Sequence, residues 1–392
     1  MASAELPFEL WLRIFNAFTL VELLPAMRVC SLWRRAAIQS DDYSHYIYLF
    51  SPSDGAVETF LLQLHRSGSR PSEVGVFVEP PCDAIQTRIL PAIAQHFYRL
   101  GVLVLRCDAR YGDQILDLMR RPAPVLRELG LMLKGEKTCT TAPALPIDVL
   151  QGAAPALSTV ILRNVRLPDS GRPPAFSNVT SVTLMYALGQ ITVVDHLWHC
   201  FPALAHLTMM GTFIFAAAVC SDLQAWRNLQ TLDMNLDDAF AMPLFVNAPI
   251  DGIPSVQVRF PSEALVELCL SHLSDSLHMG FGVDVNDGKC VGIDIGISEM
   301  HSGRVRVFTR PHDQWFSPSM HGAFPPASIA ERIVSLTLSD YLWIIMLHVA
   351  PPFPSLRDLS IACGRFVRIV DMTIEVRHPI CPNLVTGSPR EK

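Results

Sequence analysis

The sequence predicts an α/β fold: a helical N-terminal module followed by an irregular solenoid of strand-and-helix repeats, with an antiparallel β meander set into it. Three observations predict it. Residues 5–37, ELPFELWLRIFNAFTLVELLPAMRVCSLWRRAA, carry apolar residues at helical spacing. From Leu100 onward a triple recurs in which an apolar residue is followed three and five positions later by two more. Between residues 281 and 310 the period changes to strict alternation, broken at Asp287-Gly288 and Ser302-Gly303. These set the boundaries at 1–40 for the helical module, 41–99 for connecting helices and strands, and 100–392 for the repeat region, with the meander at 281–310.

Pro7 opens the first helix, because proline at the first helical position has its φ preset and gives up only an amide that would be unpaired anyway. Trp11, Ile14, Phe15 and Phe18 then form one apolar stripe, with Arg13 and Asn16 off it. Thr19 and Glu22 have capping-box spacing, which starts a second helix at Leu20. Pro25 lies inside that segment, so either the helix kinks there or it begins there. Ser31 can cap a third helix carrying Trp33, Ala37 and Ile38. Three helices this short cannot bury all of their apolar surface against each other. On pattern alone the surplus meets either a partner or the rest of the chain, as in an ordinary helical cap.

Leu-Pro-x-Glu-Leu, then Ile-Phe, a Leu-Leu pair and Val-Cys-x-x-Trp-Arg at this spacing resemble the F-box, the helical module that docks onto the Skp-family adaptor of cullin-RING ubiquitin ligases. The resemblance covers about a tenth of the chain and implies that Leu6, Pro7, Leu10, Ile14, Leu23, Val29, Cys30 and Trp33 occupy the adaptor-facing and core positions.

After the module, DDYSHYIYLF reads as a turn running into an aromatic-rich extended segment. A helical core spans residues 57–65, and the polar run from Ser67 to Ser72 is the best candidate for a module boundary. The clearest repeat triples are Leu126/Leu129/Leu131, Leu157/Val160/Leu162, Leu204/Leu207/Met209 and Leu356/Leu359/Ile361, each with Pro two residues before its first member. Further copies are Leu100/Leu103/Leu105, Val179/Val182/Leu184, Leu229/Leu232/Met234, Leu265/Leu268/Leu270 and Ile333/Leu336/Leu338. In a chain that is 50% apolar one triple means nothing; the shared proline and the recurrence make it a repeat. The last two apolar positions suit one buried face of a short strand, and DQILDLMRR, VVDHLWHC and VCSDLQAWRNL supply returning helices. The pattern resembles the irregular leucine-rich repeats that often follow an F-box, and a generic α/β fold with hydrophobic strands is the alternative. Leu129, Leu131, Leu162, Leu207, Leu232, Leu336, Leu359 and Ile361 are expected to be buried.

In the meander, Val283 and Val285, then Val291, Ile293, Ile295 and Ile297, then Val305 and Val307 mark three strands, which either project from one face or thicken the sheet. CPNLVTGSPREK begins like another repeat and turns polar, so an exposed sheet edge, or a partner covering one, is expected near residues 356–380.

Composition excludes several classes. Only 17% of residues are charged and the net charge is -6, so the chain is globular, with no electrostatic footprint for nucleic acid and no basic run for an anionic membrane surface. The longest apolar runs, FIFAAAVC and YLWIIMLHVA, are about half the length of a spanning helix. The start lacks the pattern of a secretory signal, and the 10 cysteines are scattered without C-x-x-C pairs, so a cytoplasmic or nuclear location is expected. No nucleophile elbow or phosphate loop is present. His196, His199, Cys200 and His206 are ligand types, but no second pair stands at finger spacing, so packing and surface roles are expected and no metal or cofactor. Residues 284–288, DVNDG, lack the oxygens of a calcium loop and read as a hairpin turn. Trp315, Phe316 and Phe324, with His312 and His321, anchor a Pro- and Ser-rich loop that could also form a binding tip.

Together these features imply an adaptor with no chemistry of its own: the F-box holds a Skp-family adaptor and through it a cullin-RING ligase, and the repeats hold an unidentified protein target. A non-catalytic scaffold whose F-box acts outside a ubiquitin ligase is the alternative. Weakly periodic F-box proteins of this build resemble the expanded families of mushroom-forming fungi.

Overall fold

A computed structural model of the chain describes residues 6–362 except 19, 41, 42, 44, 69, 70, 136–141, 169, 193, 216–222, 237, 260, 287, 288, 312–324 and 340–351. The chain divides into two compact units, Met1–Leu188 with His196–Leu204, and Gly189–Asp195 with Ala205–Lys392.

The first unit opens with three helices, α1 (Phe8–Phe15), α2 (Leu20–Ala26) and α3 (Ser31–Gln39). Six strands follow: β1 (Tyr46–Leu49), β2 (Ser72–Val78), β3 (Leu100–Asp108), β4 (Glu128–Lys134), β5 (Thr159–Arg163) and β6 (Ser181–Thr192), the last as far as Leu188. Each strand after β1 pairs in parallel with the one before it. A parallel neighbour needs a returning connection. Helices Asp54–Arg66, Leu90–His96 and Gly112–Leu118 supply it early on, and the 3-10 turns Val149–Gly152 and Pro174–Phe176 replace them further along. The strands alternate: in β5 Val160 and Leu162 are buried between half-buried Thr159, Ile161 and Arg163.

The proline shared by the clearest repeats has a physical reason. The N–H of Leu126 donates to the carbonyl of Ala123 at 3.2 Å, that of Leu157 to Ala154 at 3.1 Å, that of Leu204 to Phe201 at 3.2 Å and that of Leu356 to Phe353 at 3.2 Å. Each is a β-turn closed by the first leucine of the triple. Pro124, Pro155, Pro202 and Pro354 occupy its second position, where a φ fixed near -65° is what the turn needs. Val179 and Leu229 close the same turn onto Phe176 and Trp226 without a proline. The residue that opens each turn is buried, so the repeat carries a fourth apolar position three residues before the first leucine. In the first unit, the turn-opening Phe176 and Phe201 stack with centroids 4.9 Å apart.

In the second unit β7 (His206–Phe215), β8 (Thr231–Leu236) and β9 (Ser255–Arg259) are parallel neighbours. Strands β10 (Leu277–Asn286), β11 (Lys289–Glu299) and β12 (Val305–Pro311) form the antiparallel meander, and β12 lies parallel to β9. Beyond β10 come β13 (Ile333–Ser339) and β14 (Asp358–Ala362), again parallel. The meander is therefore part of the sheet and does not project from it. A three-stranded meander ends in the direction in which it began, so both of its outer strands can accept parallel neighbours. Gly303, at φ +70°, makes the turn between β11 and β12 that a side chain would strain. Residues 287–288, at the other turn, lie outside the described residues.

Three sequence expectations are corrected. Leu265, Leu268 and Leu270 are on a helix, Glu263–Ser271, whose N-terminal N–H at Leu265 is capped by the Ser262 hydroxyl at 3.3 Å. The strand copy is Ile253/Val256/Val258, all buried, with the Ile253 N–H closing its turn onto Ile250. In β12 the inward face is Arg306 and Phe308, while Val305 and Val307 are half-buried on the other. Leu129, Leu131, Leu162, Leu207, Leu232 and Leu336 are buried, but Leu359 and Ile361 are only half-buried. Among the described residues β14 pairs with β13 alone, which leaves its side chains covered from one side. Residues 363–392, including the unfinished repeat, lie outside the described residues.

Candidate functional site

The N-terminal helices build a small core of their own. Phe15, Leu23, Ala26, Ala36, Ala37 and Tyr43 are buried in it, and Phe8, Trp11, Phe18, Met27, Trp33 and Ile38 pack around them. Aromatic rings do most of the filling: Trp11 and Trp33 approach to 4.9 Å between centroids, and Phe15 meets Trp33 edge-on at 5.5 Å and Phe18 at 5.5 Å. The Arg35 guanidinium lies 5.0 Å over the Phe8 ring. The buried Trp11 indole N–H finds no acceptor among the described residues, a cost of about 1–3 kcal/mol that the packing must offset.

The helix ends differ in detail from the sequence reading. Pro7 is the cap of α1 and not its first residue, and its carbonyl accepts from the N–H groups of Leu10 at 3.0 Å and Trp11 at 3.3 Å. Pro25 sits in the last turn of α2, whose ladder continues past it through the Met27 N–H to the Leu23 carbonyl at 2.9 Å. Thr19 lies outside the described residues. The cap of α3 is Cys30, whose Sγ accepts from the Trp33 N–H at 3.4 Å, so Ser31 becomes the first helical residue. The Arg34 Nε donates to the Met27 carbonyl at 3.1 Å and ties α3 to the end of α2.

This core sorts the residues picked out by the sequence. Leu23 is fully buried and Trp33 half-buried, so both hold the helices together from inside. Leu6, Pro7, Leu10, Ile14, Val29 and Cys30 are exposed, Val29 at 62%. Helical spacing puts Ile14 on the stripe with Trp11, Phe15 and Phe18; in the structure it faces solvent one turn beyond Leu10 instead, and Phe8 takes its place on the inner stripe. The module thus has a closed aromatic interior and a set of large apolar side chains with nothing over them among the described residues. These exposed leucine, isoleucine and valine side chains make the segment the candidate site.

Residues 3–48 match the F-box-like family model. The chain carries an F-box-like domain. F-box domains generally bind Skp-type adaptors, and the matched span covers all eight residues named above. No curated protein matches the sequence.

The histidine and cysteine candidates make local contacts. His196 contacts the Pro168 carbonyl at 2.6 Å, the buried Cys200 Sγ lies 3.6 Å from the same imidazole, and His199 is exposed. In the second unit His206 bonds the Thr231 hydroxyl at 2.9 Å. Among the described residues no three ligand side chains stand close enough to hold a metal ion. Burial pushes the Cys107 and Cys269 thiols up to about 12 and Cys200 up to about 11, so they pack as small hydrophobes. No helix among the described residues is long and apolar enough to cross a membrane. The loop holding His312, Trp315, Phe316, His321 and Phe324 lies outside the described residues.

Two buried polar centres escaped sequence reading. Arg306, on β12, donates to the carbonyls of Ile250 at 3.1 Å, Ile253 at 3.0 Å and Val305 at 2.9 Å. Glu299, at the end of β11, accepts from the Ser302 hydroxyl, the Ser274 N–H at 2.8 Å, the Asp275 N–H at 3.0 Å and Arg304 Nε at 3.0 Å. The Ser302 hydroxyl first, then the Ser274 and Asp275 amides, hold its carboxyl down to about 2. Both centres fasten loops to the meander, Arg306 the turn at Ile250–Ile253 and Glu299 the backbone at Ser274–Asp275.

Proposed function

We propose that the chain is a substrate-recognition subunit of a cullin-RING ubiquitin ligase. The F-box-like domain docks a Skp-family adaptor through Leu6, Pro7, Leu10, Ile14, Val29 and Cys30, over a scaffold held by Leu23 and Trp33. The strand regions, read as irregular leucine-rich-like repeats, hold the target protein, and the chain has no chemistry of its own. Proximity is the mechanism: a tethered target lysine meets the ubiquitin thioester at high effective concentration. The observation that carries this reading is the F-box-like match over helices whose large apolar residues stay exposed. Such a subunit works in the cytoplasm or nucleus.

Affinity capture of the tagged full chain, with the proteasome blocked, tests the proposal. It requires adaptor and cullin to co-purify together with ubiquitin-modified proteins. Adaptor without cullin would point to an F-box acting outside a ligase, and neither would remove the proposal.

A further inference from the structure

The six parallel strands of the first unit leave one face of their sheet outward, and its chemistry is ordered. Register places Phe77 of β2 beside Arg106 of β3, Arg106 beside Met132 of β4, Met132 beside Arg163 of β5 and Arg163 beside Met185 of β6. All five are half-buried and outward, alternating with buried neighbours along their own strands. Phe50, just past β1, extends the row: its ring stacks on Phe77 with centroids 5.1 Å apart and an interplanar angle of 12°, and it is 70% exposed. Crossing the strands, the row therefore reads aromatic, aromatic, cation, apolar, cation, apolar.

Charge on this row is unbalanced. Glu79 pairs with both Arg106 and Lys134, and Asp108, in register beside Lys134, pairs with Arg110, so one positive charge is left over. Arg163 has no acidic partner among the described residues. The whole chain carries -6, so this strip opposes the sign of the molecule and would attract what the rest of the surface repels. The floor beneath is kept flat by Gly75, where a Cβ would stand 2.5 Å from the Phe77 ring and 2.6 Å from that of Tyr48. Strands about 4.8 Å apart put the two arginines about 10 Å from each other. Alternate side chains of an extended chain, about 6.8 Å apart, reach both through flexible guanidinium arms.

We propose that this row binds an extended acidic segment of the target protein, an apolar side chain lying on Phe50 and Phe77 and carboxylates on Arg106 and Arg163. The proposal rests on the reading of the chain as a target-recognition subunit and names the class of its target.

The full chain is titrated with two short fluorescent peptides, one carrying a single Phe followed by alternating Glu, the other identical with Lys for Glu. The Glu peptide binds and the Lys peptide does not, and added salt weakens the binding. Arg163→Glu and Phe50→Ser, on outward side chains, each weaken it about tenfold or more with the thermal midpoint unchanged. Equal binding of both peptides, no binding of either, indifference to both substitutions, or displacement by an oligouridine would overturn the proposal. Adaptor capture by the same variants separates the two readings. Captured adaptor with no Glu peptide bound removes only the acidic target, whereas bound Glu peptide with no adaptor removes the ligase and leaves the strip.

Discussion

Leu23 and Leu6 are both leucines of the F-box-like domain, yet the fold uses them oppositely. Leu23 is fully buried beside Phe15, so Leu23→Ala should cost about 2–5 kcal/mol of stability, read as a lowered denaturant midpoint. Leu6 is exposed ahead of α1, and Leu6→Ala should stay within about 0.5 kcal/mol in the same assay. Arg306 argues the same way for the second unit. Arg306→Leu leaves the Ile253 carbonyl without its donor, while the Ile250 carbonyl keeps the Ile253 N–H, so a loss of about 1–3 kcal/mol is expected in that unit. Arg306 was illegible in the sequence because an arginine in an alternating run signals the outer face. Only the turn at Ile250–Gly252, brought beneath β12 by the sheet, shows why it is inside.

At the scale of elements, the β11–β12 connection is held by the ionised Glu299 carboxylate. Its pKa is lowered in the fold, to about 2 against an ordinary value near 4.3. The stabilisation is fully present above about pH 5 and is lost as pH falls towards about 2. Acid unfolding of the wild-type chain should therefore include a component in that window that Glu299→Gln lacks, with Glu299→Gln already less stable at pH 7. The strands themselves were largely legible. The triple with its proline located β4, β5, β7 and β14, because proline at the second position of a β-turn leaves a fixed offset to the strand that follows. Legibility failed at Leu265/Leu268/Leu270, where the same spacing fits one helical face and Ser262-Glu263 starts a helix. It failed also at the turn-opening residues, which vary from Ala123 to Trp226 and share burial but not identity.

For the whole molecule, the F-box resemblance reached the helices and the matched span, but not the division of labour within them. A stripe at i, i+3, i+4, i+7 cannot say which apolar residue leaves the core, and Ile14 does. On the proposed function, the exposed apolar set, and not the aromatic interior, takes the adaptor. The most direct measurement is the affinity of the purified full chain for a Skp-family adaptor, before and after the double change Leu6→Ala and Pro7→Ala. Truncating interface anchors costs about 1–4 kcal/mol each, so the double variant should bind at least about tenfold more weakly while its thermal midpoint and the strand content of both units stay unchanged. A folded wild-type chain that fails to bind the adaptor, or a double variant that binds it as well as the wild type, would instead make residues 6–40 a helical cap of the first unit alone.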